Sequence, residues 1–512
     1  MAIIELKIDS VLGGQSPMYH GAGPGQFLAS QAIDPEGSLS RRPSGEILPI
    51  TYATFSGAGP SGAPMWIAND PVDEKTYAYM SDGELISYSS TLGSETVIGS
   101  PTNGNGSGLG YMNDYLILPT TTDVSLYGPL SGAAAFVNTW WTGTAGLTAL
   151  TNTTYPTIRN VQYPNHAGHL HTDGKFYFVD YNGTQGLIHK LGVTSAGAND
   201  GSGYNVLDLP NGVRPFDIES FGTDLAVVGS VLGTSTTARQ GQSWLFLWDT
   251  TSDSFYRQVP IPVSFISGIA NVNGELRIWG GSVDFGWQML RYTGGYSVEQ
   301  LWDSHEGSPP YAGAIDVYGG RVMFGSYQTT IGGGANVLAH GSQNVRLGTD
   351  PLHNVAIVAN LASGTVPVIS SLKFAQQAQA TKYPVVGWRT SSDYGLSKLD
   401  ATAAKQSYFW GPNWKIDQNF KVREVRIPLT GAIDSTVSIT PTLFYDDAAQ
   451  SKQLAAINNT NYPSATTVDY KMVEIESGYT ARNNLFLQLA FTGTSAIGAA
   501  LPITVVIETL DD

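Results

Sequence analysis

The sequence contains no cysteine and few charged residues, and both shortages restrict the kind of protein it can encode. The absence of cysteine excludes disulfide bonds, thiolate catalysis and zinc–thiolate centres. Charged residues make up only 13% of the chain, about half the usual share. Long exposed helices are rich in Lys and Glu, so this shortage of charge argues against a mainly helical fold.

Long apolar runs and a basic surface are also missing. No apolar run approaches the roughly 18 residues of a membrane-spanning helix, and residues 1–14 (MAIIELKIDSVLGG) lack the pattern of a secretory signal peptide. The net charge of −16 disfavours nonspecific binding to anionic membranes or phosphate backbones. We therefore expect a protein without membrane contacts that is made and folded in a cytoplasm.

Turn-forming residues are abundant by contrast, with 59 Gly and 27 Pro in a chain that is 42% apolar. Residues 266–280 (ISGIANVNGELRIWG) show the pattern most clearly. Asn273 and Gly274 predict a tight type I′ hairpin turn, because both tolerate a positive φ. Leu276 and Ile278 alternate with polar residues, as in a half-buried strand. The sequence therefore predicts an all-β fold.

This hairpin pattern recurs along the chain. Six turns are each followed by a strand-like run, and most of the steps between them are about 50 residues long. The first apolar residues after these turns are Leu85, Leu116, Phe176, Leu225, Leu276 and Val322. A strand-built repeat of this length is typical of a β-propeller with one four-stranded sheet per repeat. Six hairpins predict six blades, and residues 340–370 either complete the sixth blade or add a seventh.

Four regions follow from the pattern. Residues 1–50 read as an extended N-terminal arm, and residues 51–370 as the propeller. Residues 371–415 form an aromatic-rich connector in which residues 374–380 could form a short helix. Alternating strands without a helical period then predict a C-terminal β-sandwich of jelly-roll or immunoglobulin-like build over residues 416–512.

The candidate chemical sites are sparse. His169 and His171 would face one side of a strand, as two metal ligands do, but neither His166 nor another residue is recognisable as a third ligand. We predict ordinary hydrogen-bonded histidines. The acidic loops at residues 70–74 and 199–201 lack the regular spacing of a calcium loop and predict solvated turns. We predict no catalytic residues, no metal site and no cofactor.

Aromatic and basic residues provide candidates for a subunit interface, since aromatic side chains and Arg are enriched in interfaces. A wide surface with little charge is also easiest to explain if neighbouring subunits cover it in a symmetric assembly. The predicted interface residues are Arg41, Arg42, Trp140, Trp141, Trp388, Tyr408, Phe409, Trp410 and Trp414. Aromatic pairs and runs such as residues 140–141 and 408–410 fit an internal core equally well, and the two arginines also fit a solvated turn or an internal salt bridge.

The chain resembles the nozzle (tail-tube B-like) proteins of short-tailed bacteriophages. The resemblance lies in Gly13-Gly14, in residues 33–45 (IDPEGSLSRRPSG) leading into a propeller, and in the C-terminal strands. Residues 422–429 (VREVRIPL), 492–494 (TGT) and 501–503 (LPI) resemble the terminal β-domains of phage structural proteins. The similarity covers the architecture of the whole chain.

This resemblance implies a non-enzymatic virion protein, located in the tail and assembled in the host cytoplasm. Six subunits would form a homo-oligomeric ring around the DNA exit channel, and DNA would pass the acidic wall without specific binding. The N-terminal arm would reach a neighbouring subunit or an adaptor protein. The C-terminal sandwich would add ring contacts or bind fibres.

Two alternatives stay open. A carbohydrate-binding or carbohydrate-degrading propeller, that is, a lectin or a depolymerase, would need exposed aromatic residues and, for hydrolysis, two carboxylates at the propeller mouth. The 42 acidic residues do not single out such a pair. A capsid decoration or fibre protein could be built from the same parts.

Overall fold

The structure, a computed structural model, consists almost entirely of β-strands. It describes residues 2–9, 29–31, 33–34, 46–49, 52–54, 62–89, 92, 95–102, 106–120, 123–141, 166–231, 241–282, 286–304, 307, 309–328, 334–341, 352–357, 368–375, 383–389, 394–399, 405–445, 450–461, 471–474, 480–493 and 497–510. Strands are numbered β1 to β41 in chain order, and the helical structure among these residues is a single 3-10 turn, Ala312–Ala314. None of these residues belongs to a helix that could cross a membrane.

Six antiparallel sheets of four strands each follow one another along the chain. The first sheet contains β6 (Pro64–Asn69), β7 (Thr76–Met80), β8 (Leu85–Tyr88) and β9 (Glu95–Gly99). The second contains β10 (Gly110–Met112), β11 (Tyr115–Pro119), β12 (Val124–Gly128) and β13 (Ala135–Trp141). The third contains β14 (Gly168–Leu170), β15 (Phe176–Tyr181), β16 (Gln185–Leu191) and β17 (Gly203–Asn211). The fourth sheet contains β18 (Val213–Phe221), β19 (Asp224–Val231), β20 (Gln242–Trp248) and β21 (Arg257–Ile261). The fifth contains β22 (Phe265–Val272), β23 (Glu275–Ser282), β24 (Gly286–Tyr292) and β25 (Glu299–Asp303). The sixth contains β26 (Ile315–Tyr318), β27 (Arg321–Gln328), β28 (Gly334–Gly341) and β29 (Leu352–Ile357).

A seventh sheet joins the two ends of this series. Its strands are β30 (Val368–Ala375), β31 (Tyr383–Arg389), β32 (Tyr394–Leu399) and, from the N-terminal region, β5 (Tyr52–Thr54). β5 pairs antiparallel with β32 and takes the outermost position. The chain is therefore an all-β, seven-bladed β-propeller whose last blade is completed by an early strand.

The first strands of the seven blades form a closed inner ring. Each of β6, β10, β14, β18, β22, β26 and β30 contacts the next, and β30 contacts β6. Polar contacts reinforce the last junction: the Ser370 and Ser371 hydroxyls donate to the Pro64 carbonyl at 2.6 and 2.8 Å, and Asn69 Nδ2 donates to the Phe374 carbonyl at 2.7 Å. Buried side chains such as those of Tyr79 and Trp248 fill the spaces between blades.

The prediction of six blades is wrong because the seventh is not a continuous segment of sequence. Its outer strand comes from residues 52–54, and its other strands begin within the predicted propeller and continue through residues 371–399, which belong to the predicted connector. Phe374 and Ala375 end β30 instead of starting a short helix, and residues 376–380 lie outside the described residues. The sequence after β30 (QQAQAT) also lacks the Gly or Asn that marked the other hairpins.

The hairpin at Asn273 and Gly274 is confirmed. Val272 pairs with Glu275 across a two-residue turn, and φ is 55° at Asn273 and 84° at Gly274, as a type I′ turn requires. The step from Leu85 to Leu116 is shorter than the other steps of the repeat for a simple reason. Leu85 begins the third strand of its blade, whereas Leu116 lies in the second strand of the next.

The C-terminal strands form a ten-stranded sheet together with strands from the N-terminal region. Its members are β1 (Ile3–Ile8), β2 (Ala29–Gln31), β33 (Lys405–Trp410), β34 (Trp414–Ile427), β35 (Ser438–Tyr445), β36 (Gln450–Gln453), β37 (Ile457–Asn458), β38 (Lys471–Glu474), β39 (Thr480–Gly493) and β41 (Ile503–Thr509). The main path runs β1-β41-β34-β39-β33-β2, so N-terminal strands occupy both of its ends. The C-terminal strands of this sheet begin at Lys405, before the predicted boundary at residue 416. The jelly-roll or immunoglobulin-like topology stays a prediction.

The described strands of the predicted N-terminal arm all pair within their own chain. A small third sheet contains β3 (Ile33–Asp34), β4 (Glu46–Pro49) and β40 (Ala499–Ala500). β2 and β3 also contact β29 of the sixth blade. Five short strands from residues 3–54 thus enter the C-terminal sheets and the propeller alike.

Ring closure by β5 can be tested by a double substitution, Ala53→Pro with Thr54→Pro. Proline removes a backbone donor, and ladder hydrogen bonds alternate along an antiparallel pair, so one of the two changes interrupts the pairing with β32. We expect the melting temperature to fall by about 2 °C or more. The matched control, Ala53→Ser with Thr54→Ser, keeps both donors. Equal melting temperatures for the two variants would show that β5 does not hold the ring.

Candidate functional site

Ionisable side chains from four inner strands form a cluster around the propeller axis. His169 lies on β14, Asp217 and Glu219 on β18, Asp316 on β26 and Lys373 on β30. Electrostatic interactions of Lys373 with His169 and Glu219 connect the seventh blade with the third and fourth. We call these five residues the axial cluster.

Two aspartates of the cluster tie neighbouring blades together. Asp217 accepts hydrogen bonds from the backbone N–H groups of Ile218 and, in the next blade, of Ile269, both at 2.9 Å. Asp316 joins the sixth blade to the seventh, because its carboxylate accepts a hydrogen bond from the backbone N–H of Phe374 at 2.7 Å. Each carboxylate therefore satisfies a backbone donor that would otherwise be buried without a partner.

His169 and Glu219 are in contact, and their burial favours the uncharged forms. The His169 Nε2 atom lies 3.1 Å from Glu219 Oε1. Burial raises the pKa of Glu219 to about 8, against the opposing hydrogen bond from the Ser220 N–H. Burial, reinforced by the charge of Lys373, lowers the pKa of His169 to about 4. The side chains keep 29% and 20% of their surface accessible, so water in the axial space moderates both shifts.

The remaining groups determine the charge of the cluster. Burial raises the pKa of Asp217 to about 7, against its two backbone hydrogen bonds. Burial would lower the pKa of Lys373, but the charges of Asp316, 2.7 Å from Nζ, and of Glu219 raise it above its ordinary value. At neutral pH the cluster thus combines a Lys373–Asp316 ion pair with carboxyl groups that titrate close to that pH.

The three histidines of the sequence analysis enter three separate networks, as hydrogen-bonded residues. His171 contacts the Ser220 hydroxyl at 2.8 Å and the Thr223 carbonyl at 3.0 Å, whereas His169 belongs to the axial cluster. His166 is buried, with Nδ1 3.0 Å from the Ser107 hydroxyl. Among the described residues, no three His, Cys, Asp or Glu side chains are arranged to hold a metal ion.

A second buried network surrounds Asp180. Its two carboxylate oxygens lie 3.3 Å from His166 Nε2 and 3.1 Å from His189 Nε2. His189 Nδ1 accepts the Asn205 N–H at 2.9 Å, which leaves the Nε2 proton to face Asp180. Burial would raise the pKa of Asp180, but the two histidines hold it well below its ordinary value. All three side chains are fully enclosed, so this network stabilises the third blade and offers no site to a ligand.

Two of the predicted interface residues lie in the protein's own cores. Trp388 is buried in the propeller, where its Nε1 donates to the Ser397 hydroxyl at 3.1 Å. Phe409 is buried in the core of the ten-stranded sheet. Neither side chain is available to a second subunit.

The other predicted interface residues are partly buried or lie elsewhere. Trp140 donates from Nε1 to the Gly197 carbonyl at 2.8 Å, and Trp141 packs edge-on against Phe178 and His189. Trp410 and Trp414 are half-buried, and Trp414 packs against the core of the ten-stranded sheet. Tyr408 lies in β33, and Arg41 and Arg42 lie outside the described residues.

Sequence reasoning missed four members of the axial cluster: Asp217, Glu219, Asp316 and Lys373. A usable signal was present, since each charge interrupts an otherwise apolar strand, as in PFDIES and SLKFA. Recognising it required knowing which strand of each blade is the inner one.

The solved structures to which the chain is similar are β-propellers. The chain is similar to the structure of U3-55K (12% identity, 68% of this chain and 98% of that chain, TM-score 0.43). It is also similar to the Pan2 WD40 domain of Neurospora crassa (9%, 68% and 94%, 0.41) and to the Dos1 propeller (13%, 69% and 96%, 0.41). No protein-family model and no curated protein matches the sequence.

The titration of Glu219 predicts a pH-dependent stability. Its pKa is higher in the folded than in the unfolded protein, so its stabilising contribution is complete below about pH 4.5 and is lost as the pH rises through about 8. His169 has the opposite sign: its contribution is complete above about pH 6.5 and is lost as the pH falls towards 4. Above about pH 6.5 the contribution of His169 is constant, so we expect Glu219→Gln to flatten the fall in the free energy of unfolding between about pH 6.5 and 8, by on the order of 1 kcal/mol.

This free energy can be measured by urea denaturation across that pH range. The matched control is Glu299→Gln, which removes an exposed carboxylate from the fifth blade. It should leave the pH dependence unchanged. Parallel curves for the wild type and Glu219→Gln would contradict the assignment of a raised pKa to Glu219.

Proposed function

We propose that the protein is a non-enzymatic structural component of a bacteriophage virion. In this proposal it is a tail nozzle or tail-tube protein, and several copies form a ring around the DNA exit channel. The observation that carries the proposal is the distribution of residues 3–54 over three sheets. This one segment supplies a strand to each end of the main path of the ten-stranded sheet, two strands to the small sheet and one strand to the seventh blade.

This arrangement suits a part that carries mechanical load. β1 pairs with β41 over six residues, and β5 pairs with β32 in the propeller. Pulling the C-terminal sheet away from the propeller would therefore strain several antiparallel ladders at once. A building block of a tail must keep its shape while DNA is ejected, and interlocked strands serve that requirement.

The charges of the chain support a channel formed between subunits. The axial cluster lies on inner strands of several blades, and the charge of Lys373 shifts the pKa values of His169 and Glu219 from other blades. DNA would therefore pass between propellers and not through one. The net charge of −16 would let it pass without adhering.

Native mass spectrometry of the purified protein tests this proposal. We expect assemblies at a multiple of the 54.6 kDa chain mass, with six copies as the leading expectation. Antibody labelling should find the protein in purified phage particles, at the tail. Labelling of the capsid or of fibres would instead favour a decoration or fibre protein. A protein that stays monomeric under all conditions and is absent from particles would refute the structural role.

A carbohydrate-degrading propeller is the second candidate, favoured by the carboxyl groups of the axial cluster. Glu219 has a raised pKa, and Asp316 is paired with Lys373, so two carboxyl groups in different electrostatic surroundings belong to one cluster. Glycoside hydrolysis uses such a pair as acid and base or nucleophile. Release of reducing ends from host surface polysaccharide, lost in Glu219→Gln, would favour this candidate. On the structural proposal neither protein releases any.

A further inference from the structure

Two exposed tyrosines flank an arginine between the fourth and fifth blades. Arg257 begins β21, Tyr256 precedes it, and Tyr296 lies in the connection between β24 and β25. The centre of the Arg257 guanidinium lies 5.8 Å from the ring centroid of Tyr256 and 5.1 Å from that of Tyr296. The tyrosines are 51% and 74% exposed. We call these three residues the aromatic–arginine cluster.

Neighbouring groups hold this cluster in place. Arg257 Nη1 donates to the Tyr292 hydroxyl at 3.0 Å and to the Gly295 carbonyl at 3.3 Å. The Tyr256 hydroxyl donates to Asp224 Oδ2 at 2.6 Å. Gly295 has a φ of 84°, so its carbonyl is positioned by a turn that favours glycine. The guanidinium and the Tyr256 ring are thus oriented before any partner arrives, which reduces the entropy lost on binding.

The contacts of Arg257 within the described residues include no carboxylate. Several other arginines contact carboxylates of the same chain, namely Arg277 with Glu275, Arg291 with Glu299 and Arg426 with Glu424. Within the described residues, Arg257 contacts only a phenol, a carbonyl and two aromatic rings. The edge of the guanidinium formed by Nε and Nη2 therefore makes no hydrogen bond there, although the chain has 42 acidic and only 26 basic residues.

We propose that the aromatic–arginine cluster is a subunit contact that receives a carboxylate of a second copy of this chain. A guanidinium edge binds a carboxylate through two parallel hydrogen bonds, and the two tyrosine rings provide flat walls beside it. Tyr and Arg are also the residues on which binding energy concentrates in interfaces. The proposal rests on the ring of the proposed function.

The charge of the chain supports a second copy as the occupant. Copies that each carry −16 repel one another, so a ring needs local contacts in which a cation meets an anion. The surplus of carboxylates supplies the anion on every copy. A ring closes when this contact is head-to-tail, with the cluster of one copy meeting a carboxylate on a different surface of the next copy.

Sedimentation velocity over a range of protein concentrations tests this contact. We expect Arg257→Ala to raise the concentration needed for half-assembly by at least about 10-fold, with a smaller effect for Arg257→Lys, which keeps the charge without the planar fork. Arg291→Ala is the matched control, an arginine of the neighbouring blade that is already paired with Glu299. It should change assembly by less than about 2-fold.

Tyr296→Ala guards against a folding artefact, because so exposed a side chain contributes little to stability. It should weaken assembly while leaving the melting temperature unchanged. If the wild type assembles and both Arg257→Ala and Tyr296→Ala assemble equally well, the contact is overturned while the ring stands. If the wild type never assembles, the ring itself fails and this contact fails with it.

A photo-cross-linking residue at position 296 identifies the occupant in purified particles. We expect a cross-link to an Asp- or Glu-containing peptide of the same sequence. Cross-linking to a different virion protein alone would overturn the choice of a second copy. Protection of the site by a carboxylated sugar such as glucuronate, without any cross-link, would assign the cluster to carbohydrate binding and would likewise overturn it.

Discussion

Seven inner strands around one axis form the constraint on which the rest of this structure depends. Each blade buries one face against the blade before it and the other against the blade after it, so a gap at any position would expose two apolar faces. The chain closes this circle between β30 and β6, where Ser370, Ser371 and Asn69 hydrogen-bond across the junction. At the rim, β5 adds the fourth strand of the seventh blade.

The same closure explains the position of the N-terminal strands. Once β5 is fixed in the propeller, the preceding strands can reach the small sheet and the ten-stranded sheet. Each of these sheets gains N-terminal strands at an edge by antiparallel pairing. The domains are therefore tied together by antiparallel ladders, and this continuity is what the structural proposal depends on.

The axial cluster shows how a narrow internal space changes ordinary acids and bases. Asp217 and Asp316 satisfy backbone donors of adjacent blades, and this favours charge. Burial opposes charge, and it prevails at Asp217 and Glu219, whose pKa values move to about 7 and about 8. Lys373 remains charged because Asp316 lies directly beside its ammonium group. The result is a cluster with little net charge, inside a protein whose surface is strongly acidic.

The local sequence determined the all-β fold and much of its repeat. The turn at Asn273 and Gly274 formed as predicted, because the two positive φ values it requires are a property of those residues. Hydrogen-bonded roles for His166 and His171 were also foreseeable, since a buried imidazole needs partners. These predictions concern neighbours in sequence or single side chains, for which local chemistry is sufficient.

The tertiary structure decided the features that join distant residues. Blade number depended on a pairing between residues 52–54 and β32, which no local pattern records. Trp388 and Phe409 could equally have been core or surface, because an aromatic ring gains free energy from either kind of burial, and the fold placed both in cores. Asp217, Glu219, Asp316 and Lys373 became one cluster only when the blades closed into a ring. Local residues determine the turns and strands, whereas the axial cluster exists only because the seven blades close into a ring.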